Sequence, residues 1–200
     1  ISEEHGIRCV RLSKSTANMY DPIQIQSLCK QIHNTPGCNL QASLPCTASS
    51  TWQRINCVKK GEKYVNQLIQ RQEQSLRLFA NFVIVATAVR EGGGTISFEW
   101  PRYCLGWAKQ AVLDFISSFG MSTALVDGCA FGMHDKGNPI KKQWRIITDH
   151  KGLLRDLEPW KCSGDHSHKE ISGSLTPKTA YYNSLMSNVI LNAIFPFKMS

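Results

Sequence analysis

Apolar positions recur along this chain in two rhythms. Between Lys63 and Arg90, Val65, Leu68, Ile69, Leu76, Phe79, Phe82, Val83, Ala86 and Val89 form one stripe at helical spacing, stopped by Gly92-Gly93-Gly94. Ala108 to Phe119 repeats the pattern with Val112, Phe115, Ile116 and Phe119 on one face and Gly120 at the end. Asp21-Pro22 pairs an N-cap residue with proline at the first helical position, and Ile25, Leu28, Cys29 and Ile32 follow before Pro36-Gly37. A last helix is predicted from about Thr179, carrying Leu185, Val189, Ile190 and Ala193.

Between these helices lie short runs rich in β-branched and apolar residues: 6–13, 39–44, 95–99, 123–126 and 143–148. Strands that alternate with helices predict βαβ units and a parallel sheet. Residues 161–176, rich in His, Ser and Gly at their start, read as a short loop insertion in a single domain spanning 1–200. Ligands of such sheets gather at the carboxyl ends of the strands. Cys46, just past 39–44, and Glu99, at the end of 95–99, fall there.

Composition is ordinary for a globular chain, 42% hydrophobic and 19% charged over 200 residues. The formal net charge of +8 suits a polyanionic partner. No apolar run is long enough to span a membrane, and the charged start ISEEHGIRCVRL has no leader character. The first residue is not Met, so a piece of a longer protein is expected. Eight scattered cysteines without a C-x-x-C pair read as reduced thiols in an intracellular, nuclear or cytoplasmic protein, with an even count that leaves a disulfide framework open.

Two constellations carry chemistry. A thiolate and a carboxylic acid on neighbouring strand ends can act on one planar ring, the thiolate adding to an electrophilic carbon while the acid donates to a ring nitrogen. The plain alternative is a buried cysteine and a glutamate paired with a base such as Arg102. The second is KCSGDHSHKE, where Cys162, His166 and His168 are zinc-ligand types within seven residues. A fourth ligand would come from elsewhere, with Cys104 and Cys129 as candidates, and the alternative is a plain polar loop.

The order of these features resembles the cytosine-5 DNA methyltransferases and, more narrowly, methyltransferase-like segments of protist retroelement polyproteins. The residues that carry the resemblance are SLPCTASS, SFEWPRYCLGW, FISSFGMSTALVDGCAFGM, IKKQWRIITDH and the tail TPKTAYYNSLMSNVILNAI. It implies an α/β, doubly wound, Rossmann-like methyltransferase sheet that lacks its first strand and Gly-rich turn. It implies Cys46 as the nucleophile at C6 of a flipped cytosine and Glu99 as the group at N3. Arg145 would orient the base and the glutamate, and Gln143 would support the loop. Ile147 stands where the family has its last arginine. S-adenosylmethionine is the implied cofactor, with DNA more than RNA as the implied partner. Its binding is expected to be weak or absent, because the run VRLSKS offers no acid for the ribose and only Asp21 remains for the cofactor. The rival expectation is a catalytically inactive, basic nucleic-acid-binding module.

Overall fold

A computed structural model describes residues 7–13, 15–173 and 175–196, the side chains at 177 and 178 excepted. Residue 6 of the run 6–13 and residue 174 of the loop insertion lie outside the described residues. Four strands, β1 (Leu40–Ser43), β2 (Ile96–Pro101), β3 (Ser122–Asp127) and β6 (Gln143–Thr148), form one mixed sheet in the order β1-β2-β6-β3. A two-stranded hairpin, β4 (His134–Asp135) with β5 (Asn138–Pro139), lies between β3 and β6 in the chain. The expectation of a parallel sheet needs correcting. β1 and β2 run parallel, but β6 is antiparallel to both of its neighbours. The reason is the connection. β1 reaches β2 through a long helix, whereas the chain leaves β3 through a hairpin with no crossover helix and so returns in the opposite direction.

Helices cover both faces of the sheet. On one face α1 (Pro22–His33), α2 (Trp52–Glu91) and α3 (Gln110–Ser118) enclose Ile96, Phe98, Trp100 and Ile147. Phe79 of α2 is the hub of this core, with the rings of Phe82, Phe98, Trp100 and Phe115 all about 6 Å from its own. On the other face α4 (Lys151–Leu157) and α6 (Ser184–Ile194) pack Leu153, Leu157, Met186 and Ile190 against Ala124, Val126, Trp144 and Ile146. The short helix α5 (Leu175–Lys178) precedes α6.

Local chemistry accounts for most element ends. Asp21 caps α1 by accepting from the Ile23 N–H at 2.9 Å. Asn183 caps α6 by accepting from Met186, so that helix begins at Ser184 and the expected start near Thr179 is moved. α2 is longer than the apolar stripe predicts, because a helical arm from Trp52 joins it across Gly61, whose φ of 72° only glycine adopts readily. Gly94 is required after α2: a Cβ there would lie 1.7 Å from the Cys38 carbonyl oxygen. Residues 7–13, expected as a strand, form no ladder, and Val10 stays 63% exposed. Among the described residues no helix is long and apolar enough to cross a membrane.

Candidate functional site

The parallel pairing of β1 with β2 puts Ser43 directly beside Glu99. Cys46 follows three residues later, after Pro45, at the start of a 3-10 turn (Thr47–Ser49). Paired residues share a sheet face, so Ser43, Glu99 and Ile146 look towards α4 and α6. Glu99 is only 4% exposed. Its Oε2 accepts from Ser43 Oγ at 2.8 Å and from the Tyr182 hydroxyl at 3.1 Å. Gln41 in turn donates to that hydroxyl at 3.4 Å. Tyr182 leads into α6 and thus covers the carboxyl from the helix side.

Three charges act on one another here. Burial pushes the Glu99 carboxyl above its usual range, against the hydrogen bonds from Ser43 and Tyr182 and the positive charge of Lys142. Burial also raises the Cys46 thiol, and the Glu99 charge raises it further, while Lys142 opposes both. Burial lowers Lys142, against the charges of Glu99 and Cys46. Lys142 donates to the Thr179 carbonyl, and its Nζ sits 5.4 Å from the centre of the Trp144 ring. The result is a carboxyl and a thiol both raised by burial and an amine lowered by it, gathered in one neighbourhood. Cys104 is buried close by and is pushed up to about 11 by burial, with the Cys46 and Glu99 charges adding to it.

The other residues singled out from the sequence lie elsewhere. Arg145 pairs with Trp100 and Leu125, on the opposite face of the sheet from Glu99. Its guanidinium lies 4.6 Å above the Trp107 ring and donates to Thr123 at 3.3 Å, while its Nε is buried without a partner. Gln143 donates instead to Asp127 Oδ1 at 2.8 Å. Asp21 is occupied at the start of α1, with Oδ1 accepting from Ile23 and Oδ2 from Gln24. Trp144 is buried, and Trp160 has one face stacked on Phe131 at 4.3 Å. Nothing local in the sequence ties Lys142, one of several bases near 141–145, to Glu99, and Tyr182 carries no signal beyond preceding the cap Asn183.

A second grouping forms past the end of β3. Cys129, Cys162, His166 and His168 bring four ligand atoms within 4.8 Å of one another. Cys162 Sγ is 3.3 Å from His168 Nε2 and 3.8 Å from His166 Nε2. The fourth member is Cys129; Cys104 instead points its thiol at the Ser49 carbonyl, 3.7 Å away. Asp127 ties the two strands of this grouping together. Its Oδ2 accepts from the Cys162 N–H at 2.9 Å while Gln143 holds its Oδ1. All eight cysteines are unpaired thiols. Comparison with protein-family models, with curated proteins and with solved structures finds no match to this chain.

Proposed function

We propose that this chain is the base-handling part of a cytosine-5 methyltransferase-like domain acting on nucleic acid, built on a Rossmann-like sheet. The observation that carries the reading is that Ser43 of β1, three residues before Cys46, pairs with Glu99 on the adjacent parallel strand, with the Cys46, Glu99 and Lys142 charges acting on one another. An unstacked cytosine is an electrophile at C6 once N3 is protonated. Glu99, whose carboxyl burial pushes above its usual range, supplies that proton in its protonated form. Cys46 Sγ forms the bond to C6 as a thiolate, its own proton passing to solvent, and the electron pair displaced from the C5–C6 double bond settles at C5. Reversal breaks the S–C6 bond and returns the N3 proton to Glu99. Lys142 stabilises both anions that this cycle creates, the thiolate before addition and the glutamate after it.

S-adenosylmethionine does not fit the described residues. Residues 7–13 make no strand that could end in an acid under the ribose, and Asp21 spends both carboxylate oxygens on α1. The cycle above therefore stops at reversible addition. Addition makes C5 basic, so a cytosine held here exchanges its C5 hydrogen with solvent. The net charge of +8 and the exposed Tyr103 under the Arg102 guanidinium support a phosphate-and-base partner.

The test is loss of the cytosine H5 signal from single-stranded and duplex oligonucleotides in deuterium oxide. The intact chain is expected to exchange it and Cys46→Ala to fall to the buffer rate. The second reading, an inactive binding module, is favoured by the seal of Ser43 and Tyr182 over Glu99. Salt-dependent oligonucleotide binding without any exchange selects it, and neither binding nor exchange overturns both.

A further inference from the structure

We infer that Cys129, Cys162, His166 and His168 form a closed four-ligand zinc site that fastens the 159–169 segment to the end of β3. The inference stands apart from the base chemistry proposed above. It needs neither Cys46 nor Glu99.

The donor set is the first argument. Two thiolates and two imidazoles in a tetrahedron select zinc, and four protein ligands leave no open position, as in sites that hold structure. Zinc–sulfur bonds of about 2.3 Å and zinc–nitrogen bonds of about 2.05 Å set a tetrahedral S···N edge of about 3.6 Å. The two edges from Cys162 Sγ, 3.3 and 3.8 Å, bracket that value. No other pairing of these atoms exceeds 4.8 Å.

The surroundings are the second. Metal-bound histidines usually donate their remaining N–H to a carboxylate or carbonyl. His166 Nδ1 lies 2.7 Å from Asp165 Oδ1, which leaves Nε2, the atom facing Cys162, free to bind. Asp127 accepts from the Cys162 backbone and is itself held by Gln143, so the second cysteine is fixed from behind. Binding sends two thiol protons to solvent and gives a site of zero net charge, which suits its half-buried position.

The chain path is the third. From the end of α4 at Leu157 to the start of α6 at Ser184, the only regular element among the described residues is the four-residue α5. A stretch of that length with so little structure needs a fastening. Hydrogen bonds from Asp127 to Trp160 and from Lys169 to Pro139 hold its first part. The four ligands lie between those two points, and the same stretch goes on to bring Thr179 to Lys142 and Tyr182 to Glu99.

Zinc content of the intact chain, purified without chelator, tests the site. About one equivalent is expected. Cys129→Ser should lower it below about 0.2 equivalents, while Cys104→Ser keeps it near one. If Cys129→Ser does not fold, cobalt titrated into the metal-stripped intact chain is read instead. Tetrahedral visible bands with a near-ultraviolet sulfur-to-cobalt band of two-thiolate strength support the site. Less than about 0.2 equivalents of zinc in the intact chain, an octahedral cobalt spectrum, a Cys129–Cys162 disulfide by mass, or full zinc retention by Cys129→Ser would overturn it.

Discussion

Removing the Tyr182 hydroxyl should weaken the fold by an amount that depends on pH, because its partner Glu99 changes charge. Tyr182→Phe keeps the ring against Trp144, whose centroid is 5.9 Å away, and deletes the 3.1 Å bond to Glu99 Oε2. A hydrogen bond between neutral groups contributes about 0.5–1.5 kcal/mol, and one to a charged group about 1.5–3 kcal/mol. The difference of about 1 kcal/mol corresponds to about 0.7 of a pKa unit, in the direction of a still higher Glu99 pKa. The sign follows from linkage. Glu99 already titrates above 4.5 in the folded chain, so its effect on stability is fully favourable below that pH and is lost as pH rises through the folded value. Raising the folded value further enlarges that loss. Urea unfolding followed by tryptophan fluorescence at about pH 4 should therefore show a cost of about 0.5–1.5 kcal/mol, rising to about 1.5–3 kcal/mol at about pH 9. For a chain of this size the melting temperature should fall by about 1–6 °C and about 3–12 °C respectively. In a Glu99→Gln background the pH dependence of the Tyr182→Phe cost should vanish. Equal costs at both pH values, within about 0.3 kcal/mol, would refute a titrating carboxyl under this hydroxyl.

Two further outcomes follow from the placement of the charged groups. Arg145→Met removes a guanidinium whose buried Nε has no partner but keeps a long side chain over Trp107, so stability should stay level or rise by up to about 2 kcal/mol in denaturant unfolding. Because Arg145 faces away from Glu99, the same variant should exchange cytosine H5 at the unchanged rate, and a lost rate would put the arginine in the base site. The pH profile of that exchange should climb while Glu99 remains protonated, run level, and fall once Cys46 is ionised. Burial raises both groups, so the acid bend should lie above 4.5 and the alkaline bend above 9.0; an acid bend at or below 4.5 would contradict the buried carboxyl.

Chain-local chemistry by itself determined a good share of this protein. Asp21-Pro22 starts α1, the stripe from Val65 to Val89 lies in α2, and the glycines at 92–94 end it, since caps and helical spacing act within a few residues. Cys46 could be put just past a strand, and Cys162, His166 and His168 into one ligand run, for the same reason, whereas Glu99, expected at a strand end, lies inside β2, which runs on to Pro101. What only the tertiary structure decided depends on pairings across long separations. The direction of β6 was set by a hairpin connection that the apolar rhythm does not encode. The face occupied by Arg145 was set by register, where a slip of one residue exchanges the two sides of a strand. The choice of Cys129 over Cys104 turned on which loop end meets the 159–169 segment, and both cysteines look alike in sequence. Residues 7–13 have a strand's composition and no strand, because a strand exists only where a neighbour completes its hydrogen bonds, and among the described residues none does.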